Sequence, residues 1–430
     1  MKCKQDINCD LIIIGAGFAG MVAAARASSL GLKTVQVGSS SSLFFVSGLL
    51  DLLGVYPLDS NETLVFPKKG LDKLTTDIPF HPYSKIHYKK IIDSFDFLKG
   101  FLQSGGLDYH LSRDDNLFVL TAAGTIKPSF MVPTTMLKGC ALVKKQKKLL
   151  IVDFKGLKGF SAKQIAEVLY KTNPGTRTLT VEIPELAGDL NPTQLANLFE
   201  DVSFLKYLAK KIKKNSENID LVGLPAVCGL YNSLEKIQKL EKMTQLDCFE
   251  IPGLPPSVPG MRLKNVFEKK LSKENVIFLC NAKINSYSFE KNQFTLTAVT
   301  QNMDTQIKAK GVILASGRFP GGGLNANRDQ IRETVFDLPV HQPEKRNQWY
   351  HLNFFHSNGH AINKSGLETD KVFRPVDQSK QPKYQFLYAV GSILAHNDWI
   401  RLKSGSGVSC ATACIAVDHF NNKLFEGAHD

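Results

Sequence analysis

Three glycines near the amino terminus have the spacing of a nucleotide-binding turn. Gly15, Gly17 and Gly20 lie between the apolar run 10–14 and an alanine-rich segment at 18–30. Gly15 permits a tight turn, Gly17 opens the backbone to a phosphate or diphosphate, and Gly20 allows close packing of helix on strand. The amino terminus of the following helix attracts anions through its N–H groups. The pattern therefore predicts an anion-binding turn in a β-α-β unit.

The second strand of this unit, residues 34–37, lacks the acidic residue that usually follows it. Gly38, Ser39 and Ser40 stand at that point, where a carboxylate normally binds the adenosine ribose of a dinucleotide. Either serine hydroxyls or backbone groups bind the ribose, or no adenosine is bound. The second alternative favours FMN over FAD, and the missing carboxylate also weakens the case for NAD.

Later in the chain, glycine turns again follow or precede apolar elements. They are Ser316-Gly317 after the strand 312–315, Gly391-Ser392 after the strand 386–390, and Gly405-Ser406-Gly407 before an apolar helix. A strand followed by glycine is typical of flavoproteins, where it passes the ribityl phosphate, and a helix start favours anions. Ser406 could equally cap an ordinary helix. Ser47-Gly48 is either a turn that approaches an isoalloxazine ring or a packing turn in the core.

Composition and charge exclude several classes of protein. The 430 residues are 43% hydrophobic and 22% charged, as in globular proteins, and no apolar stretch is long enough to span a membrane. The eight cysteines include no Cys-x-x-Cys pair, so neither an iron–sulfur cluster nor a structural zinc site is expected, and we predict no metal-binding residues. We expect a cytoplasmic protein.

The net charge of +13 favours a solvated, lysine-rich surface. A surface that meets anionic lipid or an acidic partner subunit is the alternative. Nucleic acid is not expected as a partner because no nucleic-acid module accompanies the charge.

Together these features predict an α/β, Rossmann-like FAD/NAD(P)-binding flavoprotein fold with an inserted second domain. We expect a discontinuous flavin-binding domain made of residues 1–54, 252–330 and 384–430. Residues 55–251 and 331–383 would form the inserted substrate or partner domain.

The chain resembles the family of anaerobic glycerol-3-phosphate dehydrogenase B subunits, which are quinone-linked flavoproteins. The resemblance extends across almost the whole length. Beyond the glycine turns it rests on Leu49-Leu50-Asp51-Leu52-Leu53, His81-Pro82-Tyr83-Ser84, Leu224-Pro225-Ala226, Leu254-Pro255-Pro256-Ser257-Val258, Gly260-Met261-Arg262-Leu263, Gly322-Gly323-Leu324, Ile331-Arg332-Glu333, Trp349-Tyr350 and Arg374-Pro375. The loop 402–407 departs from the family because Lys403 and Ser404 replace smaller residues there.

The resemblance implies a flavin, usually FMN with FAD as the alternative, and oxidation of sn-glycerol 3-phosphate to glycerone phosphate with electrons passed indirectly to quinone. It also implies two partners, a catalytic flavoprotein subunit and an iron–sulfur subunit that anchors the complex. This chain would then lie on the inner face of the cell membrane. A stand-alone flavin-dependent reductase or dehydrogenase of another substrate and a non-catalytic structural subunit remain alternatives.

Oxidation of an alcohol needs a base for the hydroxyl proton and, for this substrate, cations for the phosphate. Histidines 341, 351, 356 and 360 lie in a polar and aromatic region, and of these His341 and His356 are the catalytic candidates. Arg318 directly follows the Ser316-Gly317 turn and could face the ring, which makes it a third catalytic candidate. Arg262 and Arg374 are the candidates for binding the substrate phosphate.

Overall fold

A computed structural model describes residues 3–60, 62–143, 147–183, 186 and 188–426. The strands are β1 (Cys3–Ile14), β2 (Thr34–Gly38), β3 (Tyr109–Leu111), β4 (Leu117–Leu120), β5 (Ile126–Ser129), β6 (Met131–Pro133), β7 (Leu149–Phe154), β8 (Arg177–Val181), β9 (Leu221–Pro225), β10 (Asp247–Ile251), β11 (Val276–Cys280), β12 (Lys283–Glu290), β13 (Gln293–Val299), β14 (Met303–Leu314), β15 (Leu324–Ala326), β16 (Ile331–Glu333), β17 (Val340–His341), β18 (Gly366–Leu367) and β19 (Leu387–Ala389). The α-helices are α1 (Phe18–Ser29), α2 (Pro67–Asp77), α3 (Tyr88–Ser104), α4 (Ala162–Leu169), α5 (Pro192–Leu198), α6 (Val202–Lys214), α7 (Ser233–Thr244), α8 (Val258–Leu271), α9 (Trp399–Leu402) and α10 (Gly405–Glu426). Short 3-10 helices lie at Ser40–Phe45, Pro82–Lys85, Thr134–Val143, Arg346–Gln348, Ala361–Lys364 and Gly391–Ile393.

The described residues fall into two compact units. The first unit comprises Met1–Ser42, Asp51–Leu98 and Phe267–Asp430, and the second comprises Leu43–Leu50 and Lys99–Val266.

The first unit is built on a seven-stranded sheet. Its strand order is β11-β2-β1-β14-β13-β12, and β19 pairs with the carboxyl-terminal end of β14. Strands β11, β2, β1, β14 and β19 are parallel, whereas β12 and β13 form antiparallel pairs. The parallel part matches the predicted β-α-β arrangement, because Ile12 pairs with both Val35 and Val312.

Helices α1 and α10 belong to the same unit and are rich in small, buried residues. Arg26 Nε lies 2.6 Å from Asp418 Oδ1, which joins the two helices by an ion pair. A β-carbon at Gly311 would collide with the ring of Phe420. Small side chains thus allow α10 to lie close to β14, and apolar burial stabilises this packing.

The second unit has a four-stranded parallel sheet of order β10-β9-β7-β8. Its two central strands, β7 and β9, are mostly apolar and buried, as expected for parallel strands that are covered on both faces. Buried residues of α4, α5, α6 and α7 form one core with the strands. The hairpin β4–β5 and the pair β3–β6 complete the unit.

The two units are divided differently from the predicted domains. Residues 331–383 belong to the first unit, where β17 pairs with β18 and Leu367 bridges to Leu394. Residues 55–98 also belong there, since Cys410 Sγ donates to the Ser94 carbonyl at 3.2 Å. The division into a flavin-binding domain and an inserted substrate or partner domain therefore remains a prediction about function.

Candidate functional site

The amino-terminal glycine turn and the Ser316-Gly317 turn meet at the carboxyl ends of β1 and β14. Gly15 has a φ of +113°, and a β-carbon there would collide with the carbonyl oxygen of Ala315. A β-carbon at Gly317 would lie 3.5 Å from Ser392 Oγ. The Ser316-Gly317 turn therefore lies between the amino-terminal turn and the Gly391-Ser392 turn.

The turn after β19 lies against the start of α1. A β-carbon at Gly391 would be 2.6 Å from Ala19 Cβ, which is too close for any larger residue. The Gly391 N–H donates to Thr412 Oγ1 at 3.0 Å, so α10 holds this turn in place. The structure thus brings three of the predicted glycine turns together at one edge of the parallel sheet, where α/β folds bind their ligands.

The amino terminus of α1 is open to an anion. Gly17 is its N-cap residue and makes no side-chain capping bond, and the first turn has no acidic side chain. The first N–H groups of a helix have no partner within the helix and carry a partial positive charge. Because Gly17 has no side chain, a phosphate can approach these groups directly.

Two buried polar atoms, one in the Ser316-Gly317 turn and one on the loop after the Gly391-Ser392 turn, fit a polar ligand. Ser316 Oγ and Asn397 Nδ2 make no hydrogen bond to any described residue. Buried polar groups are normally paired, so an unpaired donor at a ligand-binding edge indicates a missing partner. Together with the open start of α1, these atoms fit a flavin, whose ring and ribityl chain offer hydrogen-bonding atoms and whose phosphate is anionic.

Arg318 positions a loop rather than facing a reactant. Its Nη2 donates to the carbonyls of Leu394 at 2.8 Å and Asn397 at 2.9 Å, and its Nη1 donates to the carbonyl of Asn363. Burial lowers the pKa of Arg318 to about 10, although the nearby Asp398 opposes this shift. With both terminal nitrogens bonded to backbone, the contacts of Arg318 favour a positioning role, and its catalytic role remains a prediction.

The start of α10 packs against the segment at Asp51. The Asp51 N–H donates to Ser406 Oγ at 2.6 Å, and the Gly407 N–H donates to the Asp51 carbonyl at 2.8 Å. A β-carbon at Gly407 would collide with Tyr83 Oη. Ser406 and Gly407 thus have packing roles in the first unit, and a flavin contact by residues 405–407 stays a prediction.

Ser47 and Gly48 lie in the second unit. The Gly48 carbonyl accepts a hydrogen bond from Tyr109 Oη at 2.8 Å, and a β-carbon there would lie 2.7 Å from Pro259 Cβ. Ser47 Oγ accepts from the Leu49 N–H at 3.4 Å. These contacts support the packing alternative for this turn, and its approach to a flavin ring remains a prediction.

A group of two imidazoles and one carboxylate, which we call the histidine–carboxylate cluster, comprises His341, Glu368 and His396. His396 Nε2 lies 2.8 Å from Glu368 Oε1, and His341 Nδ1 lies 3.6 Å from the same oxygen. The two imidazole rings are 4.1 Å apart between centroids. Lys380 Nζ forms an ion pair with the other oxygen of Glu368.

Electrostatics keep Glu368 ionised and His396 neutral. Partial burial disfavours the charge on Glu368, but hydrogen bonds from Lys380 and His396 outweigh it and lower its pKa to about 2. Burial lowers the pKa of His396, and the Glu368 carboxylate only partly compensates. A neutral imidazole beside an ionised carboxylate is suited to accept a proton, because the carboxylate stabilises the imidazolium that forms.

The donor set of the cluster can also be compared with that of a metal site. Its ligand atoms all lie within 4.8 Å of one another. The Lys380 ammonium, however, already occupies one carboxylate oxygen and would repel a divalent cation. The arrangement therefore suits proton transfer better than metal binding.

Lys85 adds a second cation to the region. Its Nζ donates to the Thr369 carbonyl at 2.8 Å and to Thr369 Oγ1 at 2.9 Å, next to Glu368 in the chain. Burial lowers the pKa of Lys85 to about 8, although Asp370 and Glu368 oppose the shift. At neutral pH Lys85 carries its charge, so Lys85 and Lys380 could both attract a phosphate.

His81 is a fully buried and neutral member of the same unit. Its Nδ1 accepts from the Tyr83 N–H at 3.1 Å, so its Nε2 carries the hydrogen and donates to Asn397 Oδ1 at 3.2 Å. Burial lowers the pKa of His81 to about 3. His81 therefore fixes Asn397, one residue beyond His396, without charging at neutral pH.

The remaining predicted site residues have other surroundings. His356 stacks on His351 at 3.8 Å between ring centroids and belongs to a second ring group, so the structure does not place it in the histidine–carboxylate cluster. Arg374 Nε pairs with Asp370 Oδ2 at 2.7 Å and is partly exposed. Roles for His356 and Arg374 remain predictions.

Arg262 is a structural residue of the second unit. Its Nη1 and Nη2 donate to the two oxygens of Glu250 at 2.7 and 2.8 Å, and its Nε donates to the Gly229 carbonyl at 2.8 Å. Both side chains are almost completely buried. Since every nitrogen of the guanidinium is bonded within the protein, these contacts favour a structural role, and binding of a substrate phosphate by Arg262 remains a prediction.

Three residues of this region, His396, Glu368 and Lys85, were not predicted from the sequence. Lys85 directly follows the family stretch 81–84, and His396 follows Gly391 by five residues, so proximity to those motifs was the available signal. Glu368 gave no signal, because its two histidine partners come from distant parts of the chain.

Comparisons with known proteins decide the family. The family described as FAD binding domain matches residues 10–408. The B subunit of anaerobic glycerol-3-phosphate dehydrogenase from Vibrio vulnificus (strain CMCP6) is 30% identical over 425 residues, covering 96% of each chain. This chain belongs to that family of B subunits, within the FAD-binding domain family. The proteins of the same name from Aliivibrio fischeri (strain ATCC 700601 / ES114) and Pasteurella multocida (strain Pm70) are each 26% identical, covering 97% of this chain and 96% and 100% of theirs.

Membership of this family confirms the predicted α/β flavoprotein fold and the class of flavin-dependent oxidoreductase. The family match supports a flavin cofactor, and the description of the family names FAD, so FMN as the particular flavin is not confirmed. Each relative is named as one subunit of a dehydrogenase, so the members of this family are components of a multi-subunit complex. Within the described ranges, no helix combines the length and apolar character that crossing a membrane requires.

Proposed function

We propose that this chain oxidises sn-glycerol 3-phosphate to glycerone phosphate and passes the electrons towards quinone through partner subunits. The observation that carries the proposal is the position of His396 on the loop that leaves the Gly391 turn. This places a paired base five residues after Gly391, which is proposed to contact the flavin. The substrate is taken from the name of the relatives.

When bound, the flavin supplies a hydride acceptor for the carbon that bears the hydroxyl group. In this proposal His396 accepts the hydroxyl proton, Glu368 stabilises the resulting imidazolium, and His341 supports the same carboxylate. Lys85 and Lys380 bind the phosphate, because an ammonium is an effective partner for it. Arg318 and His81 hold the loop 394–397 in position.

We propose FAD as the flavin, with its diphosphate at the start of α1. The open helix terminus and the glycine turn favour a flavin phosphate at this position, and the description of the matching family favours FAD. FMN would use the same turn through its single phosphate, and heat release followed by chromatography distinguishes the two flavins.

We propose that an iron–sulfur subunit and a catalytic flavoprotein subunit are the partners and that the complex lies peripherally on the inner face of the membrane. The net charge of +13 supports the peripheral location, because a basic surface is attracted to anionic lipid. Two lysine-rich runs contribute to this charge, at residues 144–148 and 210–214. The second run forms the carboxyl-terminal end of α6, whereas Lys144 and Lys145 of the first lie outside the described residues. We expect co-sedimentation of the complex with anionic vesicles that weakens as salt is raised; binding that is insensitive to salt contradicts this.

The reaction is tested by adding sn-glycerol 3-phosphate anaerobically to the purified chain with its flavin bound. We expect the flavin absorbance to disappear with a rate constant of roughly 1 to 10³ per second, the usual range of kcat for enzymes. Glycerol and inorganic phosphate, added separately, serve as matched controls and should leave the absorbance unchanged, because neither offers both the alcohol and the bound phosphate.

The alternatives give different results in the same measurement. A flavin that is bleached by another alcohol but not by sn-glycerol 3-phosphate would indicate a stand-alone dehydrogenase of another substrate. A bound flavin that no alcohol reduces, alone or with the partners present, would indicate a non-catalytic structural subunit and contradict the proposal.

A further inference from the structure

The end of β2 lies beside the amino-terminal turn and is lined with hydroxyl groups. A β-carbon at Gly38 would lie 3.0 Å from the Ala16 nitrogen, and one at Gly17 would lie 3.4 Å from Ser42 Oγ. Ser40 is within the same segment and is almost completely buried. In dinucleotide-binding units this position faces the adenosine ribose, yet β2 itself supplies no carboxylate.

A carboxylate reaches this position from another element. Glu268, near the carboxyl end of α8, accepts a hydrogen bond from Ser40 Oγ at 2.6 Å. The preceding residue, Phe267, packs its ring edge-on against Phe18, the first residue of α1, with 6.5 Å between ring centroids. Two independent contacts therefore fix the end of α8 over both the end of β2 and the start of α1.

The chemistry of Glu268 matches what a ribose needs. A carboxylate accepts hydrogen bonds from adjacent hydroxyl groups, and bonds of this kind to an ionised acceptor are shorter and stronger than neutral ones. The acceptor also lies beside the amino-terminal turn, because Ser40 follows Gly38 by two residues and a β-carbon at Gly38 would lie 3.2 Å from Gly15 Cα.

We propose that Glu268, oriented by Ser40, binds the adenosine ribose of the flavin dinucleotide in place of the missing β2 carboxylate. The proposal rests on the proposed function in one respect, the choice of FAD. It adds a specific binding residue that neither the glycine motif nor the family match indicates. It also explains how a chain with serines after β2 can select a dinucleotide over a mononucleotide.

The test compares the affinities of the flavin-free full-length chain for FAD and for FMN, measured by quenching of flavin fluorescence. We expect E268Q to raise the Kd for FAD by about 10- to 100-fold, the effect of losing a hydrogen bond to a charged group, and to leave the Kd for FMN unchanged. E268D should restore part of the FAD affinity. E274Q is the matched control, because Glu274 bonds to Ser28 at the other end of α1.

Each result has a definite meaning. If the unaltered chain binds FAD and E268Q binds it equally well, the ribose assignment is overturned while FAD remains the cofactor. Equal losses of FAD and FMN affinity in E268Q would assign Glu268 a purely structural role and also overturn it. If the unaltered chain binds FMN but not FAD, both this inference and the proposed cofactor fail.

Discussion

Replacing His396 with glutamine slows the reduction of the bound flavin by sn-glycerol 3-phosphate by about 10²- to 10⁴-fold, the usual contribution of a general base. The change removes the proton acceptor that Glu368 holds at 2.8 Å. Stopped-flow absorbance gives the rate, and the flavin content shows that the turns are intact. H110Q is the matched control, because His110 is an exposed residue of β3. An H396Q rate within about threefold of the unaltered chain contradicts the assignment.

The pH dependence of the same rate tests the pairing with Glu368. Burial lowers the pKa of His396 and Glu368 partly restores it. Since the base must be neutral, the rate rises with pH through this lowered pKa and is constant above it. E368Q removes the restoring charge, so the pKa falls further and the rising part of the profile moves to lower pH. A profile that keeps its position in E368Q would show that the carboxylate does not act on His396.

Replacing Arg262 with methionine lowers the free energy of unfolding of the second unit by about 3–5 kcal/mol, because it leaves a buried carboxylate without its counter-ion. Glu250 is completely buried and, among the described residues, would keep Thr135 Oγ1 and the Cys228 N–H as neutral donors. Denaturant unfolding followed by circular dichroism measures the change.

The double variant R262M/E250L is the control for this large effect. Replacing both charges with apolar groups removes the unpaired carboxylate, so we expect it to recover most of the lost stability. If R262M alone costs less than about 1 kcal/mol, or if its main effect is a raised KM for sn-glycerol 3-phosphate with normal stability, the ion pair is not the role of Arg262.

Elements with a strong apolar pattern were predictable from the sequence. The strand at 10–14, the helix at 18–30 and the strand at 34–37 match β1, α1 and β2 closely. β1 nevertheless begins at Cys3, because its polar first half pairs residue by residue with β14. That half has no apolar run, so only the partner strand reveals it.

The convergence of glycine turns was also predictable, because the carboxyl ends of parallel strands share one edge of a sheet. The histidine–carboxylate cluster was not. His341, Glu368 and His396 come from short strands and irregular loops, and tertiary contacts alone bring their rings and carboxylate together. The ion pair of Arg262 was not predictable for a related reason: its partner Glu250 lies on β10, on the other side of a proline-rich bend, and spacing does not disclose the pair.

The central claim is that the turns at Gly15, Gly317 and Gly391 together hold a flavin. Its most direct test is the flavin content of the purified chain beside that of G391V, in which a β-carbon would meet Ala19 at 2.6 Å. We predict about one flavin per unaltered chain, with the absorbance of an oxidised isoalloxazine, and almost none in folded G391V. A colourless chain that takes up neither FAD nor FMN on reconstitution, or a G391V chain that retains its full complement, would contradict the account.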